Sequence, residues 1–129
     1  MEYTLLDNCH FLQSLFKNDL SFDNILLHEI KIYNFSSIRF SLRFDLGLYP
    51  TVAPAKWAGT NTVQVSLTCI DTVIQQIKFH EGVDTSKMTI SKAATNNKIV
   101  EIVGNKSSST FLLLECVSVY IDGVTAYSK

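Results

Sequence analysis

A chain of 129 residues with 47% apolar and 18% charged side chains has globular rather than disordered composition, and the length of one domain, 1–129, with an ordinary core. Its 11 basic and 12 acidic residues leave a net charge of −1. The signs are interspersed, so no long-range field draws in nucleic acid or an anionic membrane surface.

The first element reads as a helix. Leu5, Cys9, Leu12 and Phe16 recur at helical spacing, with Leu6 and Leu15 beside the stripe. Thr4 followed by Asp7 resembles a capping pair, and Asp7 near the start suits the helix dipole. Asn18, Asp19 and Ser21 end the element. From Ile25 the period changes to two: Leu26, His28, Ile30 and Ile32 share one face, opposed by Leu27, Glu29, Lys31 and Tyr33. Turn residues fill Asn34 to Ser37. The next strand alternates without error, with Ile38, Phe40, Leu42, Phe44 and Leu46 against Ser37, Arg39, Ser41, Arg43 and Asp45. Such a pattern requires a half-buried strand with one wet side.

Parity then constrains the hairpin. Both apolar faces carry even numbers, so facing positions sum to an even number and the loop is odd in length. A three-residue loop, Phe35 to Ser37, pairs Glu29 with Arg43 and Tyr33 with Arg39. A five-residue loop would set Lys31 against Arg39, a like-charge pair costing a few tenths of a kcal/mol. The shorter loop is expected.

Pro50 and Pro54 frame a loop holding the single tryptophan, Trp57, beside Lys56. Val63, Val65, Leu67 and Cys69 form the inward face of the strand after it. Asp71-Thr72 turns the chain into Val73–Phe79, and His80-Glu81-Gly82 breaks that segment. Weaker strands follow at Lys87–Ser91 and Lys98–Val103, separated by polar residues. The block from Thr110 to Tyr127 is too long for one typical strand; Asp122-Gly123 is a bend, bulge or tight turn inside it. The expected fold is mainly β (α+β by strict count). About eight antiparallel strands in meander-like order make a sandwich or partial barrel, with one N-terminal helix.

The search for chemistry finds little. Nucleophilic catalysis needs a base and an orienting group beside a Ser or Cys. His10 lies off the helical stripe, His80 adjoins a Glu-Gly turn, and His28 on a strand face reads as a hydrogen-bonded core or edge histidine. No Ser occupies a G-x-S-x-G setting, no metal-ligand spacing occurs, and the five glycines stand singly. No catalytic residue, metal or cofactor is expected, and the chain reads as a non-enzyme. Arg39 and Arg43, with Lys31 and Tyr33 alongside, read as a solvated face partly neutralised by Glu29 and Asp45. Trp57 either caps the open end of the core or anchors a protein interface. Three dispersed cysteines without a C-x-x-C fit buried thiols in a reducing compartment. With no signal-peptide core and no run of about 20 apolar residues, a cytoplasmic, non-membrane protein is expected.

Several of these segments together resemble immunity protein 50, a family of bacterial polymorphic-toxin immunity proteins. They are Ser21-Phe22-Asp23, the alternating Ile38–Leu46 strand, Pro54-Ala-Lys-Trp57, Asn61-Thr-Val-Gln64 and the closing Val119–Tyr127 segment. Leu26-Leu27 departs from the more acidic start of the first strand common in that family. The resemblance implies a small cytoplasmic protein that binds a partner toxin and neutralises it by steric occlusion, with no catalytic group. Contacts are expected on the loops Tyr49–Gly59 and His80–Asp84, at Lys56, Trp57, Glu81 and Asp84. A different class, a β-barrel carrier of a small ligand, would need room between the strands, whereas the inward set is bulky and apolar.

Overall fold

A computed structural model of the chain describes residues 3–34, 36–78 and 85–129. Among these residues the strands are β1 (Leu26–Asn34), β2 (Ile38–Asp45), β3 (Thr62–Ile70), β4 (Val73–Ile77), β5 (Ser86–Lys92), β6 (Lys98–Gly104), β7 (Thr110–Cys116) and β8 (Ser118–Tyr127). They form two antiparallel four-stranded sheets, ordered β1-β2-β3-β8 and β4-β7-β6-β5, with a single α-helix, α1 (His10–Phe16). The fold is mainly β, as expected, and the barrel is not closed. No helix among the described residues is long and apolar enough to cross a membrane.

The alternation of β2 is realised side chain by side chain. Phe40, Leu42 and Phe44 are buried and meet Val63, Val65 and Leu67 of β3 on the same inner face. The second sheet answers with Met88, Ile90, Val100, Ile102, Leu112 and Leu114, giving one continuous core. Phe22 joins the layers, with its ring edge-on to Phe44 at 5.7 Å and to Tyr3 at 5.5 Å. All three cysteines are free and buried. A hydrogen bond with Cys116, reinforced by burial, pushes the Cys69 thiol up, so it stays protonated. Gly47 is required by close approach: a Cβ there would sit 2.4 Å from the Asn24 carbonyl oxygen.

The hairpin register is the expected one, with Glu29 opposite Arg43, Tyr33 opposite Arg39 and Asn34 opposite Ile38. Phe35 itself lies outside the described residues. The start of β1 differs from the reading of one shared face. The register shifts between Leu27 and Glu29, a bulge that leaves His28 without a facing residue. Leu27 therefore faces Phe44 and packs on the core, while Leu26 falls opposite Asp45.

The N-terminal helix is shorter than its apolar spacing suggests. A 3-10 turn spans Tyr3–Leu5, and α1 begins only at His10. Asp7 does not cap it: its N–H donates to Val119 at 2.9 Å, and its carbonyl accepts from Ile121 N–H at 3.0 Å. Those cross-strand bonds, with Asn8 at a φ of 63°, break the helix where the sequence pattern would continue it. Leu12 and Phe16 still fill the core.

The long terminal block divides at Val117 rather than at Asp122-Gly123. There the chain passes from the second sheet to the first, while β3 passes the other way into β4 at Asp71, whose φ is 51°. The two corners are tied by Val117 N–H donating to the Ile70 carbonyl at 3.0 Å. Paired strands thus switch sheets together, as sheet corners require. Of the three forms expected at Asp122-Gly123 the bulge is the one found, with Asp122 as its extra residue, since Ser66 faces Gly123 and Leu67 faces Ile121. Pairing is also not a plain meander, because β4 bonds to β7 rather than to β5.

At this corner the hydroxyl of Thr72 is buried with no hydrogen-bond partner among the described residues. An unsatisfied buried hydroxyl costs on the order of 1–3 kcal/mol, and valine keeps the branched shape. Thr72→Val is therefore expected to raise Tm by a few degrees, roughly 3–5 °C per kcal/mol at this size. A melting curve with an unchanged or lower Tm would show that the hydroxyl is satisfied in solution.

Candidate functional site

The outer face of the first sheet gathers most of the chemistry-bearing side chains. Alternation sends Glu29, Lys31 and Tyr33 of β1, Arg39 to Asp45 of β2, Gln64 to Thr68 of β3 and Tyr120 to Tyr127 of β8 onto it. Most are exposed or half-buried; Asp45, Thr62 and Thr68 are buried. The two ends of the face differ.

At the end where β2 leaves the sheet, Asp45 is 2% exposed although it sits on the outward side. Its Oδ2 accepts from His28 Nε2 at 2.7 Å, from the Tyr127 hydroxyl at 2.5 Å and from Lys129 Nζ at 3.4 Å. Gln64 Nε2 donates to Oδ1 at 3.1 Å, and its own carbonyl accepts from Arg43 Nη1 at 3.1 Å. Arg43 Nη2 reaches Glu29 at 3.4 Å, and Lys31 lies 3.4 Å from the same carboxylate. Burial pulls the Asp45 pKa upward, but the bonds from His28, Tyr127 and Gln64 outweigh it and hold the carboxyl below its ordinary value. The same carboxylate pushes the Tyr127 phenol up. Every charge here has a partner within the chain.

A His–Asp hydrogen bond is two-thirds of a hydrolase triad. Among the described residues, however, no Ser or Cys hydrogen-bonds to the free nitrogen of His28. The bond locks the β1 bulge onto β2. His10, the first residue of α1, is exposed, and His80 lies outside the described residues. No group of three His, Cys, Asp or Glu among the described residues could hold an ion.

The other end of the face opens into a groove of about 500 Å³, lined by side chains including Tyr33, Arg39, Thr68, Asp71, Tyr120 and Asp122. Ser41 and Thr68 hydroxyls lie 3.2 Å apart, and Thr68 Oγ1 donates to Asp122 Oδ2 at 2.5 Å. Arg39, Asp71 and Asp122 form no ion pair among the described residues.

Of the contact residues singled out from the sequence, the described ones, Lys56 and Trp57, lie on a loop away from this groove. Trp57 is 6% exposed, in a 3-10 turn over Ala55–Trp57, with its ring edge-on to Phe11 at 6.1 Å. The loop therefore turns its indole inward and presents Lys56 to solvent. It connects β2 to β3 at the Asp45 end of the face, remote in register from the groove. Glu81 and Asp84 lie outside the described residues. Sequence reading placed Arg39, Arg43 and Asp45 on one wet face. It could not place Asp45's partners, which stand 17, 19, 82 and 84 residues away, nor bring Asp71, Tyr120 and Asp122 beside Arg39.

No curated protein and no solved structure matches the chain. The immunity protein 50 family matches residues 8–127, a span that takes in both sheets, α1, the Trp57 loop and the whole outer face described above. The chain belongs to the immunity protein 50 family.

Proposed function

We propose that this chain binds a partner toxin in the bacterial cytoplasm and neutralises it by steric occlusion, covering the toxin's active site or substrate path. Membership of an immunity protein family carries the reading. The fold is suited to it in two ways. A broad, preformed sheet face stands ready with Tyr and Arg side chains, the types enriched where interfaces are energetically dense. Four strands at about 4.8 Å spacing and eight residues at about 3.4 Å rise give a flat footprint of roughly 500 Å². A standard interface takes about 800 Å² per partner, so this face with its rim loops is large enough. Occlusion also needs no reacting group of its own. The carrier alternative needs interior volume, and the inner faces are instead filled by Phe40, Leu42, Phe44, Val63, Val65 and Leu67.

The test is co-expression with a toxin candidate encoded by an adjacent gene. Cells making the toxin alone are expected to die, and cells also making this chain to grow, with the two proteins eluting as one complex. Unchanged killing in the presence of soluble chain would sink the reading. Rescue without a detectable complex would sink the occlusion mechanism.

A further inference from the structure

We propose that the groove at the Tyr33–Arg39–Tyr120 end of the first sheet is the toxin-docking site, and that it receives a basic side chain of the toxin between Tyr120 and the carboxylates of Asp71 and Asp122. This rests on the immunity reading above and adds the surface and the chemistry of the group it takes.

The contrast between the two ends of one face carries the inference. At the Asp45 end, His28, Glu29, Lys31, Arg43, Asp45 and Lys129 are consumed by one another. A partner docking there would have to break existing pairs and leave buried charge behind. At the groove end, Arg39, Asp71 and Asp122 form no ion pair among the described residues, so a partner's charges meet groups with no existing charge pair to break. Two carboxylates against one guanidinium make the groove net negative, which selects a cation. Tyrosine rings on its walls add cation–π attraction to that preference. Arg39 at the same site pairs with a carboxylate flanking the inserted group.

The receiving carboxylate is also held in place. The bulge on β8 makes Asp122 the residue that leaves the ladder, and bulges re-aim side chains in this way. The Ser41–Thr68 hydroxyl pair then holds its Oδ2, leaving Oδ1 for a ligand. Such fixed geometry lowers the ordering cost of binding. Charged contacts at the rim also speed association with a basic partner.

The experiment titrates the full chain with an active-site-inactivated form of that toxin candidate and measures Kd by calorimetry at low and moderate salt. Asn replaces Asp at both carboxylates, because it tolerates the positive φ at position 71 and still accepts from Thr68 at position 122. The double variant Asp71→Asn/Asp122→Asn is expected to bind at least about tenfold more weakly and with a flatter salt dependence. Tyr120→Ala is expected to lose a similar factor, and Lys56→Glu to stay within about twofold of wild type. A photocrosslinker in place of Tyr33 should trap the toxin, whereas one in place of Lys56 should not. A loss below about threefold in the double variant, with wild-type binding intact and an unchanged melting curve, overturns the groove assignment alone. A wild-type chain that does not bind overturns the immunity reading and the groove with it.

Discussion

Trp57→Ala is expected to destabilise the fold by about 3–4 kcal/mol, the usual cost of emptying a large aromatic site. The indole is 6% exposed and packs edge-on against Phe11. Its backbone also organises the loop. Trp57 N–H donates to the Pro54 carbonyl at 2.9 Å, and the Trp57 carbonyl accepts from Thr60 N–H at 3.0 Å and Thr60 Oγ1 at 2.7 Å. The ring thus fastens the β2–β3 loop onto α1, and its removal leaves a cavity that a short, twice-bonded turn can only partly collapse into. Tm should fall by roughly 10–20 °C at this chain length, and Trp57→Phe should recover much of the loss. Toxin affinity, measured well below the lowered Tm, should be nearly unchanged. A variant that melts within about 2 °C of wild type but loses the toxin would reverse both statements, making the loop the anchor and the groove a bystander.

That outcome bears on what residue patterns can carry. The β2 strand was legible because its alternation is perfect, and the hairpin register followed from parity and charge alone. Both are local, and local regularities survive folding. The misreadings come from long-range partners outbidding local preference. Asp7 looks like a capping residue until β8 offers its backbone two bonds. His28 is the hydrogen-bonded edge histidine expected, but a bulge takes it off the apolar face where its alternation put it and brings its ring to Asp45 on the next strand. The Thr110–Tyr127 block shows its excess length, but the division falls at Val117 because the chain changes sheets there, a choice made by β3 and β4 rather than by the block itself.

The candidate site was legible in proportion to its locality. Tyr33 and Arg39 face each other across one hairpin, and the sequence reading put them side by side. Asp71, Tyr120 and Asp122 join them only through a sheet-switching corner and a bulge; the sequence marks both places, as a turn at Asp71-Thr72 and a bend, bulge or tight turn at Asp122-Gly123, but not that they bring these side chains to one end of the face. Trp57 drew notice for its rarity in the chain, yet a rare large aromatic is more useful inside, and the loop turned it there.

Asp45→Asn is expected to cost about 2 kcal/mol at neutral pH, and the cost should shrink on acidification. Asparagine keeps the shape, but it cannot accept three donors at one oxygen, and its amide sets a donor against donors from His28, Tyr127 and Lys129. The value sits below that of a fully buried broken ion pair, because His28 and Lys129 side chains are 34% and 51% exposed and water can take them back. The network draws on all four strands of the sheet, so the chain beyond Thr125 should loosen first and show as faster amide exchange near Tyr127. The pH dependence follows from the direction of the carboxyl shift. The folded pKa is lowered from an ordinary 3.8, so the ionised carboxylate's contribution is complete above that value and is lost as pH falls through the lower folded one. The stability gap between wild type and Asp45→Asn should hold constant from neutral pH to about 5 and narrow below about 4. Denaturant melts across that range decide it. A gap that keeps its full size well below the folded pKa would mean that shape, not charge, is what Asp45 contributes, while no gap at neutral pH would mean that the four donors are equally content with water.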